Sequence, residues 1–421
     1  MFKTFINAFK VKDVRRKIFY VLMMLVVIRL GSQMPVPGVN TSFFANYFAN
    51  NTNEAFSFLN AFTGGGFDRF SIFALSITPY ITSSIIIQLL TIAIPQLEEM
   101  QRDGEEGRKK MTAITRYVTV GLALFESVAM AVGFGRQGLL TTFNAVNVIV
   151  VVAALTAGSA FLMWVGEQIN DKGVGNGISI ILFASIVSRF PPSLYQMITN
   201  TANGTVAWWI NVLLLLGALA MIVLIVLIND SERRIPVQYA KRVVGRKMYG
   251  GQSTHLPMKV NMSGVLPIIF AQSIATLPAT IAAFTGHSDS AWASTTSIPY
   301  AIIYFLLIIF FAYFYSTIQF NPVEVANNLK KNGGYIPGFR PGKPTSEFIK
   351  KVLNKITLFG AIYLGIIAIV PILISHFSTS ASLSGISLGG TSIIIVVGVA
   401  LETVRALEAQ MLMRNYKGFL S

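Results

Sequence analysis

Apolar runs of roughly 20 residues recur along the whole chain, and that length is what a helix needs to cross a bilayer. In hydrocarbon every backbone N–H and C=O must be satisfied within the protein, so such runs fold as membrane-spanning helices. Ten are expected, near 18–35, 71–94, 112–134, 146–167, 177–190, 206–228, 262–284, 299–319, 356–375 and 389–405. The fifth is short and is expected to end at Arg189-Phe190-Pro191-Pro192. Alternating segments of about ten residues, the mark of a membrane β-barrel, are not visible. Of the 421 residues only 12% are charged, about half the share in soluble domains, which fits a polytopic helical membrane protein. No small-residue cleavage site follows the first apolar run, so it does not read as a cleavable signal peptide.

Charge orients the spans. Basic residues gather in the N-terminal stretch (Lys3, Lys10, Lys12, Arg15, Arg16, Lys17) and in every second connection. The connection after span 2 has Arg102, Arg108, Lys109, Lys110 and Arg116, and that after span 4 has Lys172. The connection after span 6 has Arg233, Arg234, Lys241, Arg242, Arg246, Lys247 and Lys259. That after span 8 has Lys330, Lys331, Arg340, Lys343, Lys350, Lys351 and Lys355, and the tail has Arg405, Arg414 and Lys417. This places 29 of the 33 basic residues on one side. The positive-inside rule therefore puts both termini in the cytoplasm. Arg69, Arg136 and Arg189 fall on the other side, and Arg29 lies within a span.

Ten spans divide into five and five, an odd number each, so the second half enters from the opposite face. Structural repeats arranged this way would be inverted repeats with a pathway at their interface. The expected divisions are an amphipathic interfacial segment (1–17), a first half (18–190), an external connection (191–205), a second half (206–405) and a cytoplasmic tail (406–421). In the first of these, Phe2, Phe5, Ile6 and Phe9 share a helical face that suits anionic lipid. Residues 55–70, AFSFLNAFTGGGFDRF, are apolar but broken by Gly64-Gly65-Gly66 and too short to span. They fit either a re-entrant element lining a cavity or an ordinary outer loop packed on the bundle. Two cytoplasmic segments, 229–261 and 320–355, are long and basic; they suit docking of an acidic or polyanionic partner, or simply fix topology and hold anionic lipid.

Little in the chain suggests catalysis. Without cysteine there is neither disulfide nor thiolate metal site, and His255, His287 and His376 share no ligand spacing. Gly338-Phe-Arg-Pro-Gly342-Lys343 resembles a phosphate loop but has three residues between its glycines and Pro344 where the hydroxyl belongs. Gly173-Val-Gly175-Asn-Gly177 is better read as a tight turn than as a dinucleotide motif. An ion-coupled secondary transporter of a small solute, the competing reading, needs ionisable residues near the midplane. The main charges in or close to spans are Arg29, Glu126 and Glu402, and Glu402 is three residues from Arg405, spacing that suits a local pair. An intramembrane enzyme needs a nucleophile or metal set, and none stands out. The spans offer uncharged polar groups instead: Ser76, Thr78, Thr82, Ser83, Ser84, Gln88 and Thr91 in span 2, and Ser263, Gln272, Ser273 and Thr276 in span 7. These suit helix–helix glue, or a wall that parts to meet water or a peptide.

An ordered series of stretches identifies a family. They are MPVPG (34–38), SIFALSITPYITSSIIIQLL (71–90), DGEEGRKKMTAITRY (103–117), GVGNGISI (173–180), YAKR (239–242), STHLPMKVNMSGVLP (253–267), FNPVEVANNLKKNGGYIPGFRPG (320–342) and GGTSIIIVV (389–397). Together they resemble the SecY family, the centre of the bacterial protein-conducting channel, across all ten spans. The resemblance implies an all-α protein of the plasma membrane, with two inverted five-helix halves around an hourglass pore and no cofactor. It puts the pore ring on Ile81, Ile85, Ile178, Leu182, Ile269 and Ile395. Ile81/Ile85 and Ile178/Leu182 are each four apart, so each pair shares a helical face. It implies a plug at about 57–70, carried by Phe58, Leu59, Phe62, Gly64, Gly65, Gly66, Phe67 and Arg69. The implied lateral gate comprises Thr82, Ser83, Gln88 and Thr91 of span 2 and Gln272, Ser273, Thr276 and Leu277 of span 7. The implied docking residues are Arg242, Arg246, Lys247, Lys330, Lys331, Arg340 and Lys343. The implied partners are the SecE and SecG subunits, the ATPase SecA, the translating ribosome, substrates with signal sequences, and anionic lipids. Within the docking region GYIPGFRPG (334–342) is stiffened by prolines, so Arg340 is expected to be presented at little ordering cost.

Overall fold

The computed structural model describes residues 8–43, 60, 62–204, 207–239, 242–244, 247–249, 253–262, 264–278, 297–377 and 390–417. Phe2, Phe5, Ile6, Phe58, Leu59 and Arg246 lie outside these residues.

Each expected span carries a helix. Among the described residues, six are long and apolar enough to cross a membrane by themselves: Gly104–Phe134, Ala145–Lys172, Gly177–Ala202, Trp208–Asp230, Ile298–Lys331 and Lys343–Ile374. The other expected spans fall on Lys12–Gly31, on Thr78–Ala93, on Leu266–Ala275 and on Gly390–Lys417. In chain order the helices are α1 (Lys12–Gly31), α2 (Thr78–Ala93), α3 (Pro95–Arg102), α4 (Gly104–Phe134), α5 (Ala145–Lys172), α6 (Gly177–Val187), α7 (Phe190–Ala202) and α8 (Trp208–Asp230). They continue with α9 (Leu266–Ala275), α10 (Ile298–Gln319), α11 (Pro322–Lys331), α12 (Lys343–Phe377) and α13 (Gly390–Lys417).

Several boundaries differ from the sequence reading. α1 begins at Lys12, so the basic residues 12–17 belong to the first spanning helix rather than to a separate segment. Ala8 and Val14 are buried with Val174 and Leu407, so part of that segment faces protein instead of lipid. α2 and α3 bend by 108° at Ile94, where Pro95 opens α3 because a first-turn position needs no N–H partner. The same rule applies at Pro191 and Pro192. They start α7 rather than merely ending span 5, so residues 191–202 of the expected connection are helical.

The contacts between helices repeat with a period of five spans. In the first half α2 packs on α4, α4 on α5 and α5 on α6. In the second half α9 packs on α10, α10 on α12 and α12 on α13. A hydroxyl pair joins equivalent helices in each half: Ser127 Oγ to Thr156 Oγ1 at 3.2 Å, and Ser316 Oγ to Thr357 Oγ1 at 2.9 Å. Where apolar packing drives no more association than lipid does, such bonds hold a bundle. The halves meet along two seams, α2 on α9 and α13 on α6 and α1.

The two long basic segments are not loops but one small folded unit. The first forms β1 (Glu232–Tyr239), β2 (Arg242–Val244), β3 (Lys247–Tyr249) and β4 (Ser253–Lys259); the second contributes α11, β5 (Gly334–Tyr335) and the start of α12. β1 is central, antiparallel to β4 along its length and to β5 at Gln238 and Tyr239 only. Pro236 is tolerated in this central strand because β5 does not reach it. Alternate residues Ile235 and Val237 point inward and share a core with Met258, Ala326, Leu329, Ile336, Ile349 and Leu353. Ile349→Ala is expected to cost this unit about 2–5 kcal/mol. Hydrogen exchange should then quicken at Gln238 and Tyr335 while the amides of α4 and α5 keep their protection.

Candidate functional site

The six ring positions come from α2, α6, α9 and α13, two helices of each half. Ile81, Ile85, Leu182, Ile269 and Ile395 are buried in one apolar cluster, and the partly buried Ile178 packs against it. The start of α6 sets two of them. Asn176 Oδ1 accepts from the N–H groups of Ile178 and Ser179, and Asn170 Oδ1 from that of Gly177. A Cβ on Gly177 would stand 2.0 Å from the Gly166 carbonyl oxygen, so only glycine lets α6 lie this close to α5. The GVGNG stretch is thus a turn that docks one helix on another.

The glycine-broken segment is interior. Phe62 is buried in the same cluster as the ring, while Phe67 packs with α4 and α5 in a second one. From Gly64 to Ile77 the backbone runs as turns, with Phe70 and Ser76 in the left-handed region at φ 46° and 54°. Protein supplies partners for several of its polar groups, although the buried Ser71 Oγ has none among the described residues. Ser76 Oγ donates to Phe62 O at 3.1 Å, Thr63 Oγ1 accepts from Phe67 N at 3.0 Å, and Val36 N donates to Phe70 O at 3.0 Å. Two arginines grip it from outside. Arg29 Nη1 on α1 donates to Gly64 O at 3.0 Å, and Arg189 Nη1, just past α6, pairs with Asp68 Oδ2 at 3.2 Å. Asp68 therefore pairs with Arg189 across the fold, and Arg69 is exposed. Sequence reasoning missed this clamp. The available signal was Arg29 itself, one cation in a span with no acid at helical spacing.

The polar residues of α2 and α9 do two kinds of work. Ser83 Oγ donates to Thr115 O on α4 at 2.8 Å, and Gln272 Nε2 to Tyr300 OH on α10 at 2.9 Å. Each bond ties a wall of the seam to its own half. Thr91 Oγ1, Ser273 Oγ and Thr276 Oγ1 donate to carbonyls of their own helix, and Gln88 Nε2 to Ser84 Oγ. Thr82 is half-buried and Leu277 exposed. Among the described residues the buried Oε1 atoms of Gln88 and Gln272 have no hydrogen-bond partner.

Arg242 and Lys247 lie on the β2–β3 hairpin, and Lys330, Lys331, Arg340 and Lys343 are exposed on the α11–α12 side of the small unit. GYIPGFRPG is pinned beneath its tip: Ile336 is in the core, Phe339 stacks on Phe348 at 4.2 Å, and Arg340 O accepts from Thr345 Oγ1 at 2.7 Å. The exposed Arg340 side chain has no partner among the described residues and extends from a fixed backbone. Arg405, expected to pair with Glu402, instead donates to Asp230 Oδ1 and Asn229 O at the end of α8, which packs on α13.

The clamp yields a test. Gly64 has φ +63°, and a Cβ there would sit 2.4 Å from Arg29 Nη1, so Gly64→Ala strains the turn by about 1–3 kcal/mol. With no native cysteine, Phe67→Cys reports the segment's exposure to a water-soluble thiol reagent. Gly64→Ala should speed its labelling several-fold, as roughly 1 kcal/mol is a factor of five, and Gly121→Ala, which meets nothing within 4 Å, should leave it unchanged.

Comparison with known proteins agrees with this geometry. The SecY family model matches residues 71–404. The protein translocase subunit SecY of Halalkalibacterium halodurans is 46% identical over 434 residues, covering 100% of both chains. Among solved structures, one described as a protein conducting channel superposes with TM-score 0.68 at 18% identity, covering 94% of this chain and 92% of that one. Sec61 in the canine ribosome-channel complex gives 0.65 at 17%, with the same coverage. Identity and coverage over the full length establish that this chain belongs to the SecY family.

Proposed function

We infer that this multi-pass membrane protein is the channel-forming subunit of a protein translocase, passing unfolded polypeptides across the membrane and releasing apolar segments sideways into lipid. The observation that carries the reading is the convergence of Ile81, Ile85, Ile178, Leu182, Ile269 and Ile395, from both halves, on one apolar cluster that also takes Phe62. A narrow aliphatic constriction resists wetting and so blocks ions. Flexible aliphatic side chains can also close around a moving chain without selecting its sequence. Residues 57–70 act as the plug, held shut by Arg29 and Arg189. The α2–α9 seam is the lateral gate. Each wall is hydrogen-bonded to its own half, so the halves can part as units, and a segment apolar enough is then favoured in lipid. The translocase relatives weigh against a small-solute transporter.

The membrane is the bacterial plasma membrane, with both termini in the cytoplasm, as the distribution of basic residues indicates. SecE and SecG are the partner subunits. The small folded unit is the docking face for SecA and the ribosome, whose phosphates basic side chains reach without reading bases. The direct test is reconstitution with these partners: a secretory precursor should cross the bilayer when ATP is added, and a precursor that stays outside would sink the reading. Ile269→Asn wets the ring and should raise resting ion conductance several-fold over the parent channel; unchanged conductance would remove Ile269 from the constriction. Arg340→Lys keeps the charge but loses a planar fork whose charged hydrogen bonds contribute about 1.5–3 kcal/mol. Translocation should fall roughly tenfold, more than with Lys343→Ala; equal rates for Arg340→Lys and wild type would leave the loop a structural role.

A further inference from the structure

Where the small folded unit meets the spanning helices there is a slot of about 280 Å³. Glu232 and Arg233 of β1, Val260, and Lys355, Ile356 and Phe359 of α12 line it. Lys355 is the last basic residue before the apolar stretch 356–375. It lies four residues from Phe359, so the two share a helix face, the charge one turn above the ring. Phe359 is 60% exposed. The slot therefore straddles the level where hydrocarbon gives way to water.

Its charges are unbalanced. Glu232 Oε1 accepts from Arg234 Nε at 2.6 Å, so that carboxylate already has a cation. Arg233 and Lys355 have no hydrogen bond or ion pair among the described residues, yet they line the same small slot. Two like charges beside an apolar wall repel, and an anion between them removes the repulsion. Val260, Ile356 and Phe359 further require that the anion carry something apolar. A free phosphate or an RNA backbone would meet the charges and leave that wall wet. A zwitterionic headgroup would bring a third cation to the rim.

We propose that this slot binds an anionic phospholipid, its phosphate between Arg233 and Lys355 and an acyl chain over Val260, Ile356 and Phe359. The guanidinium offers a fork to two phosphate oxygens and the ammonium a point charge. Because β1 belongs to the docking unit and α12 continues into a span, the lipid ties that unit to the bilayer. Calling the leaflet cytoplasmic rests on the orientation proposed above; the binding itself does not.

The test uses the full chain in its complex with partner subunits, stripped of bound lipid and titrated with phosphatidylglycerol or phosphatidylcholine. Native mass spectrometry counts bound lipid, and the melting temperature is followed in parallel. Phosphatidylglycerol should bind and raise the melting temperature more than phosphatidylcholine. Arg233→Gln with Lys355→Gln should weaken its tightest site roughly 25-fold, about fivefold per charge removed. Lys355→Arg, with Arg233 intact, should keep the affinity within about twofold, which separates lost charge from lost folding. Unchanged phosphatidylglycerol binding in the double variant, or equal binding of the two lipids, overturns the proposal. So does an equal melting shift from inorganic phosphate, which would make the slot a phosphate site, or a loss confined to ribosome affinity, which would make it an RNA contact. Precursor translocation, measured separately on the same preparation, tests the channel reading, so the two can fail independently.

Discussion

A backbone inside hydrocarbon has no water to bond with, and everything else in this molecule is arranged around that constraint. Its spans are helices for this reason. The stretch from Gly64 to Ile77 is not helical, so protein must supply what the helix would have supplied. It does so with Thr63, Ser76 and the Met34–Val36 backbone. Arg29 and Arg189 add charged donors at the turn's outer side. A segment held by a few bonds, with two non-glycine residues in left-handed geometry, stores strain that continuous helix does not. That property suits the plug role proposed for it, in which the segment would leave its place.

The same constraint divides strong contacts from weak ones. Within each half, hydroxyls and amides cross between helices: Ser83 to Thr115, Ser127 to Thr156, Gln272 to Tyr300, Ser316 to Thr357. At the centre of the seam the side chains are aliphatic. Lipid is as apolar as they are, so their contact is held by packing alone. Each half is thus cross-linked by polar bonds, while the seam between them is held by packing, an arrangement that suits the proposed parting of the halves.

The small folded unit is coupled to this frame by covalent continuity. α12 starts in the unit, beside Arg340, and runs into a span packed on α10 and α13. Arg405 on α13 bonds to the end of α8, from which β1 departs. A partner docked there, as proposed, would act on helices of the second half, one of which carries Ile395.

The succession of spans and the gathering of basic residues in alternate connections were legible from residue order, because hydropathy and charge act locally and one residue at a time; the ring positions came only from the family resemblance, and their shared cluster only from the structure. The pair judged by nearness in the chain failed, since Arg405 passes over Glu402 for Asp230. Asp68 likewise finds its partner far along the chain, in Arg189. The two basic segments looked like independent loops because their shared core takes three buried residues from 235–258 and five from 326–353. Strand and helix periods are visible in each, but a core completed by a distant segment has no local signature. Residue order alone established that the chain crosses the membrane repeatedly and which face carries its charge. Tertiary structure alone decided that Gly64–Ile77 lies inside, what clamps it, and how the basic segments combine, since those outcomes depend on partners brought together only when the two halves close.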